Sequence, residues 1–233
     1  MKNRISIILA RGGSKRIPRK NLIDFFGKPL IAWTIQAAIN SNCFKRILVS
    51  TDDQEIADVA RKYGAEVPFL RNRAADDFST SSEATFAALN QAMKYWNEEY
   101  DTVVQLMANC PLRDYIDIKH CIRQFDDKDT VSQISCYRFG WMNPWWAATK
   151  DKTGVPNRIF EDKKNPRSQD LPDLYGPTGA IWMAKTSKFL IEKDFYMAGH
   201  CFEELSMSSS VDIDDMEDYK MAKALYLMKT IDD

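Results

Sequence analysis

The segment Ile5-Ser-Ile-Ile-Leu-Ala-Arg-Gly-Gly-Ser-Lys-Arg-Ile-Pro-Arg-Lys-Asn21 joins an apolar run to a loop with five cations and two adjacent glycines. Residues 5–10, rich in β-branched side chains, predict a buried strand. Gly12 and Gly13 allow the backbone to come close to a ligand, and the cations around them can neutralise phosphate charge. Because ligands of open α/β sheets bind at the carboxyl ends of strands, this loop is predicted to hold a triphosphate.

Two common phosphate-binding motifs do not describe this loop. It matches neither GxxxxGK[ST] nor GxGxxG, which disfavours an ordinary ATPase and a hydride-transfer enzyme. A run of charges by itself is more often a solvated surface loop. The position directly after the first strand, together with the paired glycines, favours phosphate binding.

Short apolar runs alternate with helical patterns along the chain. Strands are predicted at residues 5–10, 46–50, 102–106 and 130–136. Helices are predicted at residues 29–40, 55–63, 82–96, 116–125 and 216–229. The alternation predicts an α/β fold with a mostly parallel, Rossmann-like sheet flanked by helices.

Residues from about 139 to 172 interrupt this alternation. The segment carries four prolines and the pair Trp145-Trp146 without clear periodicity, so it is predicted to be an excursion from the sheet. Trp141, Trp145 and Trp146 either form a subunit interface there or fold back onto their own chain. No linker divides the chain, and residues 1–233 are predicted to form one domain with this insertion.

Composition excludes several classes of protein. A chain of 233 residues with 45% hydrophobic content can bury a full core, and its net charge of −1 argues against nucleic-acid binding. Five cysteines without a CxxC pair fit reduced thiols, which predicts a cytoplasmic protein. No apolar run approaches the roughly 20 residues that cross a bilayer, and residues 5–10 are too short for a secretory leader. Only two histidines are present, so the chemistry is expected to come from other groups.

The cationic loop resembles the signature L-A-R-x-x-S-K-x-x-x-x-K-N of the acylneuraminate cytidylyltransferases, the CMP-sialic acid synthetases. The resemblance implies a nucleotidyltransferase fold with CTP as co-substrate. It places Arg11, Ser14, Lys15, Lys20 and Asn21 at the triphosphate positions of that family, beside Gly12 and Gly13. Related enzymes that act on the eight-carbon acid Kdo usually lack the Lys-Asn ending, so Asn21 favours the nine-carbon branch.

The resemblance continues through the segment that binds the base. An Arg followed by a Ser/Thr cluster is matched by Arg71 and by Thr80, Ser81 and Ser82, which implies contacts with cytosine. The same hydroxyl residues also predict a helix N-cap, and both roles are compatible because a helix N-terminus presents N–H donors. Arg113, in a stretch similar to the family's S-P-L-R element, is either a ligand-side or a structural cation.

The sugar side of the resemblance lies in the last third of the chain. Segments similar to R-x-Q-D-L-P and N-G-A-I-Y imply that Arg167 and Gln169 face the acidic sugar across the interface of a homodimer. Met107 and Thr178 stand where sialic acid enzymes usually have Gln and Asn, and Ser168 replaces an Arg. Because these departures fall at sugar positions, the sugar is expected to differ from N-acetylneuraminate, with pseudaminic or legionaminic acid as candidates.

A last acidic segment, Asp212-Ile-Asp214, resembles the family's D-I-D-T-x-x-D element. Alternation places both carboxylates on one side of an extended chain, where they are predicted to hold Mg²⁺ or another divalent cation. The competing interpretation is an acidic N-terminus that favours the dipole of the last helix. That interpretation is adopted for the acids after Asp214.

These features together predict a cytidylyltransferase that joins CMP to the anomeric oxygen of a nine-carbon acidic sugar and releases pyrophosphate. The residues expected to carry catalysis are Arg11, Lys15, Lys20, Asp212 and Asp214. Three alternatives stay open: a Kdo-type or other sugar nucleotidyltransferase, a metal-dependent glycosyltransferase, and a nucleotide-binding scaffold without turnover.

Overall fold

A six-stranded sheet forms the centre of the molecule in this computed structural model, which describes residues 2–72, 79–140, 142–160 and 167–232. The ten strands are β1 Arg4–Leu9, β2 Asp24–Phe25, β3 Lys28–Pro29, β4 Arg46–Ser50, β5 Thr102–Met107, β6 Ser132–Arg138, β7 Ala148–Lys150, β8 Pro156–Arg158, β9 Tyr175–Lys185 and β10 Cys201–Glu204. The helices are α1 Leu30–Ser41, α2 Gln54–Lys62, α3 Ser81–Trp96, α4 Tyr115–Lys128, α5 Thr186–Glu192 and α6 Met216–Asp232. The central order is β10-β6-β9-β5-β1-β4.

The sheet is parallel except at one strand. β9 runs antiparallel to both of its neighbours, β5 and β6, whereas β1 pairs in parallel with β4 and β5. The predicted α/β class is therefore confirmed, and each predicted strand and helix coincides with an observed one to within a few residues. The sequence analysis assigned no element to β9, α5 or β10. Gly176, Pro177 and Gly179 weaken the strand signal of β9, and its central position removes the alternation that marks a half-buried strand.

Alternating side chains of the strands build a core on each face of the sheet. Ile8 of β1 packs in the cluster that contains residues of α1, α2 and α4, whereas Ile5 and Ile7 pack in the cluster that contains residues of α3 and α5. Ile7 and Ile8 lie on opposite faces of the sheet because successive side chains of a strand alternate between its two faces. Two helical layers thus enclose the sheet.

A third apolar cluster lies beside the sheet and joins distant parts of the chain. It combines the fully buried Phe25 with Ile17 of the cationic loop, Ile213 of the acidic segment and Ala222 of α6. The Phe25 ring makes edge contacts with Trp33 and Tyr226 at centroid distances of 5.9 and 5.8 Å. This cluster therefore holds the two ends of the chain together.

The predicted excursion contains the short hairpin β7–β8. Trp145 folds back onto its own segment, because its indole N–H donates to the Pro172 carbonyl at 2.9 Å and its ring lies 5.0 Å from that of Phe160. Trp146 is partly exposed, and Trp141 and residues 161–166 lie outside the described residues. The subunit interface stays a prediction.

Within the described parts of the chain, no helix combines the length and the apolar character that a membrane span requires.

Replacement of Phe25 by Ala should lower the free energy of unfolding by about 3–5 kcal/mol, because a buried aromatic ring is removed and a cavity is left. Phe25→Leu should cost less, since it retains most of the apolar volume. Chemical denaturation of both variants measures the difference. An unfolding free energy unchanged in Phe25→Ala would show that this cluster does not hold the loop and α6 in place.

Candidate active site

The carboxyl ends of three parallel strands meet at one edge of the sheet. Leu9, the last residue of β1, is in register with Ser50 of β4 and with Met107 of β5. The cationic loop follows β1 at this edge and borders a cavity of about 480 Å³, called the first cavity below. The residues that line this first cavity include Arg11, Ser14, Lys15, Arg16, Lys20, Asn21, Arg71, Ser79, Thr80, Ser81, Met107, Asn109 and Asp214.

The loop is fixed by hydrogen bonds to its own backbone and to the turn after β4. Asn21 is buried, and its side-chain amide donates to the Arg11 carbonyl at 3.0 Å. The Gly12 N–H donates to the Asp52 carboxylate at 2.9 Å. A Cβ at position 12 would lie 2.7 Å from an Asp53 carboxylate oxygen, so only glycine allows this approach. Gly12 is thus required by packing, a reason that the sequence analysis did not identify.

Ion pairs between Arg19 and two acids next to the start of α2 also hold the loop in place. The Arg19 backbone has a φ of 57°, in the left-handed region, and its guanidinium donates to both carboxylate oxygens of Asp53 and to Glu55. Asp53 also caps α2 by accepting from the Ile56 N–H at 3.0 Å. The hydrogen bond from Arg19 is the main cause that lowers the pKa of Asp53. The sequence analysis predicted a helix from residue 55 but assigned no role to Asp53, and it missed the contacts of these acids with the loop.

Asp214 reaches the first cavity from the opposite end of the chain. Its carboxylate accepts from Lys20 Nζ at 2.9 Å and pairs with Arg16 at 2.7 Å. Lys20 Nζ also donates to the Ile213 carbonyl at 2.7 Å. Burial by itself would raise the pKa of Asp214, but the hydrogen bond and charge of Lys20, with the Arg16 pair, lower it overall. The cationic loop and Asp214 therefore lie at the same cavity, as the sequence analysis predicted.

Asp212 borders a different, second cavity of about 260 Å³. Asp212 is exposed, but the surrounding protein still desolvates its carboxylate, and this desolvation, followed by the nearby charge of Asp214, raises its pKa. The two predicted metal ligands thus lie at neighbouring cavities, not side by side in one. Over the described ranges, no cluster of three or more His, Cys, Asp or Glu is arranged to hold a metal ion.

The start of α3 supplies the polar wall opposite the loop. Thr80 caps the helix and forms a capping box with Glu83, and Ser79, Thr80 and Ser81 line the first cavity. The positive end of the α3 dipole therefore faces the cavity. The Ser82 hydroxyl instead donates to Asp194 at 2.8 Å and does not line either cavity within the described residues.

Arg71 is buried at the wall of the first cavity. Burial lowers its pKa, the charge of Asp52 opposes that change, and the charge of Arg11 adds to it. Its Nε has no hydrogen-bond partner within the described chain. A buried guanidinium with an unsatisfied donor is costly unless a ligand supplies an acceptor.

The predicted sugar residues are dispersed. Met107 lines the first cavity, and a Cβ at Gly179 would lie 2.8 Å from its Cγ. Thr178 is buried and donates to the Ser210 carbonyl at 2.9 Å. Arg167 is exposed and pairs with Asp170 at 2.7 Å, and Gln169 is exposed as well. Among the described residues, only Met107 of this group lines either cavity.

Arg113 is a structural cation. It is almost completely buried and donates to the Thr34 hydroxyl at 2.9 Å. Of the two roles left open by the sequence, the ligand-side one is thus disfavoured.

Comparison with known proteins gives consistent matches over the whole chain. A family model described as cytidylyltransferase matches residues 5–232. The chain is 40% identical over 229 residues to a pseudaminic acid cytidylyltransferase of Campylobacter jejuni, with 97% of both chains covered. It is 34% identical over 236 residues to a CMP-N,N'-diacetyllegionaminic acid synthase of Legionella pneumophila, with 95% of both covered.

A solved structure shows the same fold at low sequence identity. It is a CMP:2-keto-3-deoxy-manno-octonic acid synthetase in complex with CTP, which superposes with a TM-score of 0.71 at 17% identity. The superposition covers 97% of this chain and 99% of the other.

The clamp on the loop can be tested by Asp53→Ala. This change removes the cap of α2 and the partner of Arg19, so we expect about 1–2 kcal/mol lower unfolding free energy and faster amide exchange in residues 12–21. Asp58→Ala, on the exposed side of the same helix, should leave exchange in the loop unchanged. Equal exchange in both variants would show that Asp53 does not order the loop.

Proposed function

The chain belongs to the cytidylyltransferase family and is a nucleotidyltransferase, and we propose that it activates a nine-carbon acidic sugar with CTP. The products would be the CMP-sugar and pyrophosphate. The anomeric hydroxyl of the sugar attacks the α-phosphorus of CTP, and the bond from that phosphorus to the β-phosphate oxygen breaks. No covalent intermediate on the protein is required.

One observation carries the proposal. Arg11, Lys15 and Asp214 border the same cavity, and Lys20 bonds Asp214 at 2.9 Å although 194 residues separate them. A triphosphate needs cations, and an acid held within that cationic group has little use in a solvated surface loop. The arrangement therefore favours phosphate chemistry.

We assign the triphosphate to the loop and the base to the start of α3. Arg11, Ser14, Lys15 and Lys20 would contact phosphate oxygens, and Asn21 holds the loop in shape through the Arg11 carbonyl. Arg71, at the wall of the same cavity, would add positive charge next to the nucleotide. Thr80 and Ser81 lie where hydroxyl and backbone groups can contact the cytosine edge. Ser82 is left out of this assignment because its hydroxyl already bonds Asp194.

We propose Mg²⁺ or another divalent cation at Asp212 and Asp214. The donor set fits, since magnesium is usually held by one or two carboxylates and substrate phosphates. Burial raises the pKa of Asp212 and the charge of Asp214 raises it further, and a bound cation would oppose both effects by stabilising the charged carboxylate. When bound, the ion would neutralise phosphate charge and acidify the attacking hydroxyl. Asp214 pairs with Lys20 and Arg16 in this structure. When the ion is bound, these two side chains must therefore either share the Asp214 carboxylate with the ion or contact the phosphates instead.

The chain's own contribution to rate is positioning and charge neutralisation. Lys20 and Arg11 line the first cavity, where they would neutralise the charge that increases on the phosphates during transfer. The two histidines bond Glu203 and the Met197 carbonyl, so neither is assigned as a base. The loop cations and Asp214 are therefore the groups on which turnover should depend.

We propose a diamido nonulosonic acid of the pseudaminic or legionaminic type as the sugar. Both relatives described above carry names of that type. The likeness to the Kdo enzyme concerns the fold alone, so the eight-carbon acid stays the alternative. We further propose a cytoplasmic homodimer in which Arg167 and Gln169 approach the sugar of the neighbouring subunit.

The substrate assignment can be tested by pyrophosphate release from CTP with a panel of acids and Mg²⁺. The expected order places pseudaminic or diacetyllegionaminic acid first, N-acetylneuraminate well behind and Kdo last. Preferred turnover of N-acetylneuraminate would contradict the sugar assignment. No release with any nine-carbon acid would contradict the proposed function.

The role of Asp214 can be tested by Asp214→Asn. The change removes a carboxylate from the cluster that binds phosphate and cation, so kcat should fall by about 10²-fold or more while the fold persists. Asp215→Asn, next in the chain, retains the oxygen that caps α6 and should keep near-normal kcat. Equal kcat values for the two variants would show that Asp214 does not contribute to catalysis.

A further inference from the structure

We propose that Asn109 is a positioning residue for the transfer reaction: its neutral side-chain amide holds the segment that carries Asp214 in place while Lys20 turns to the phosphates. This inference rests on the proposed function. The sequence analysis assigned no role to Asn109.

Asn109 and Ile213 exchange two hydrogen bonds although 104 residues separate them. Asn109 Nδ2 donates to the Ile213 carbonyl at 3.1 Å, and the Ile213 N–H donates to the Asn109 carbonyl at 2.9 Å. Asn109 Nδ2 also lies 3.5 Å from a carboxylate oxygen of Asp214. Asn109 is buried and still lines the first cavity. These bonds are therefore shielded from water next to the place assigned to the nucleotide.

The Ile213 carbonyl has a second donor in Lys20. Lys20 Nζ bonds this carbonyl at 2.7 Å and the Asp214 carboxylate at 2.9 Å. A carbonyl oxygen has two lone pairs, so it can accept from Lys20 and Asn109 at the same time. A triphosphate attracts an ammonium group far more strongly than a neutral amide. When Lys20 turns to a phosphate, Asn109 therefore keeps its bond and the segment stays in place.

The turn that carries Asn109 is itself fixed to α1 by buried groups. The Met107 carbonyl, two residues earlier, accepts from the Thr34 hydroxyl at 3.2 Å and from Arg113 at 3.4 Å. Arg113 also donates to the Thr34 hydroxyl at 2.9 Å. The structural cation Arg113 thus stabilises the backbone from which the Asn109 side chain reaches the acidic segment.

An amide suits this position better than a carboxylate of the same shape. An ionised Asp at position 109 could not donate to the Ile213 carbonyl, and it would place a second negative charge next to Asp214. The Asn109 amide supplies a donor without adding charge. It therefore orients Asp214 without changing the balance of charge in the first cavity.

The kinetic test compares Asn109→Ala with Gln133→Ala. Gln133 is a matched control, because it is also a buried amide that donates to a backbone carbonyl, that of Cys121 at 2.9 Å. Over the described ranges, Gln133 lines neither cavity. In Asn109→Ala, kcat should fall by about tenfold while the KM for CTP stays within about threefold of the wild-type value. Gln133→Ala should lower the denaturation midpoint and keep the wild-type kcat.

Amide exchange at Ile213 tests the exchange of roles between Lys20 and Asn109, because this N–H donates to the Asn109 carbonyl. CTP is added without an acceptor sugar, so that no turnover occurs. In the wild-type protein and in Gln133→Ala, CTP should leave exchange at Ile213 unchanged or slow it. In Asn109→Ala, CTP should speed it by about threefold or more, because the triphosphate withdraws Lys20 from the Ile213 carbonyl.

Lys20→Met provides a measurement that does not depend on the folding of an Asn109 variant. Asn109 is retained in this variant, so exchange at Ile213 without CTP should stay within about threefold of the wild-type rate. A larger increase would show that Lys20, and not Asn109, holds the segment, and would overturn the inference.

The remaining outcomes separate the inference from the function on which it rests. An active wild-type enzyme whose kcat is unchanged in Asn109→Ala overturns the positioning role. Exchange at Ile213 that CTP does not speed in Asn109→Ala, although calorimetry shows that CTP binds, overturns it as well. A wild-type protein that releases no pyrophosphate from CTP with any nine-carbon acid refutes the proposed function itself.

Discussion

The bond between Lys20 and Asp214 is the contact on which the geometry of the site depends. It joins the loop after the first strand to the segment before the last helix at 2.9 Å. The same lysine donates to the Ile213 carbonyl, so backbone and side chain are held together. Ile213 in turn packs with Ile17 and Phe25, and this apolar cluster keeps the pair away from bulk solvent on one side. Partial burial increases the strength of such a pair relative to an exposed one.

A loop with five cations repels itself, and the fold opposes this repulsion with acids from two directions. Asp52 and Asp53 follow β4 and contact Gly12 and Arg19 from one side. Asp214 contacts Lys20 and Arg16 from the other. The loop is therefore ordered before an anionic ligand arrives, and less ordering entropy is lost when it binds. These acids also compete with the ligand, because each one accepts a hydrogen bond from a donor that a phosphate oxygen would otherwise use.

The sequence predicts the local parts of this design well and the long-range parts poorly. Residues 5–10 and 102–106 are recognisable as strands because their apolar runs are continuous. β9 was missed because Gly176 and Gly179 argue against a strand, whereas in the fold they admit Tyr137 and Met107. Asp53 caps α2, and its contact with Arg19 depends on the register of β1 with β4, which no local pattern encodes.

The two acids of the Asp212-Ile-Asp214 segment show why spacing alone could not define the site. Alternation puts them on one side of an extended chain, yet they border different cavities and their pKa values shift in opposite directions. Lys20 keeps Asp214 charged, whereas Asp212 is destabilised by partial burial and by the charge of Asp214. The segment thus lies between the cationic first cavity, which Asp214 lines, and the second cavity, which Asp212 lines together with Met207 and Val211. The contacts that each carboxylate makes across the fold, and not its spacing in the sequence, therefore decide which cavity it reaches and in which direction its pKa shifts.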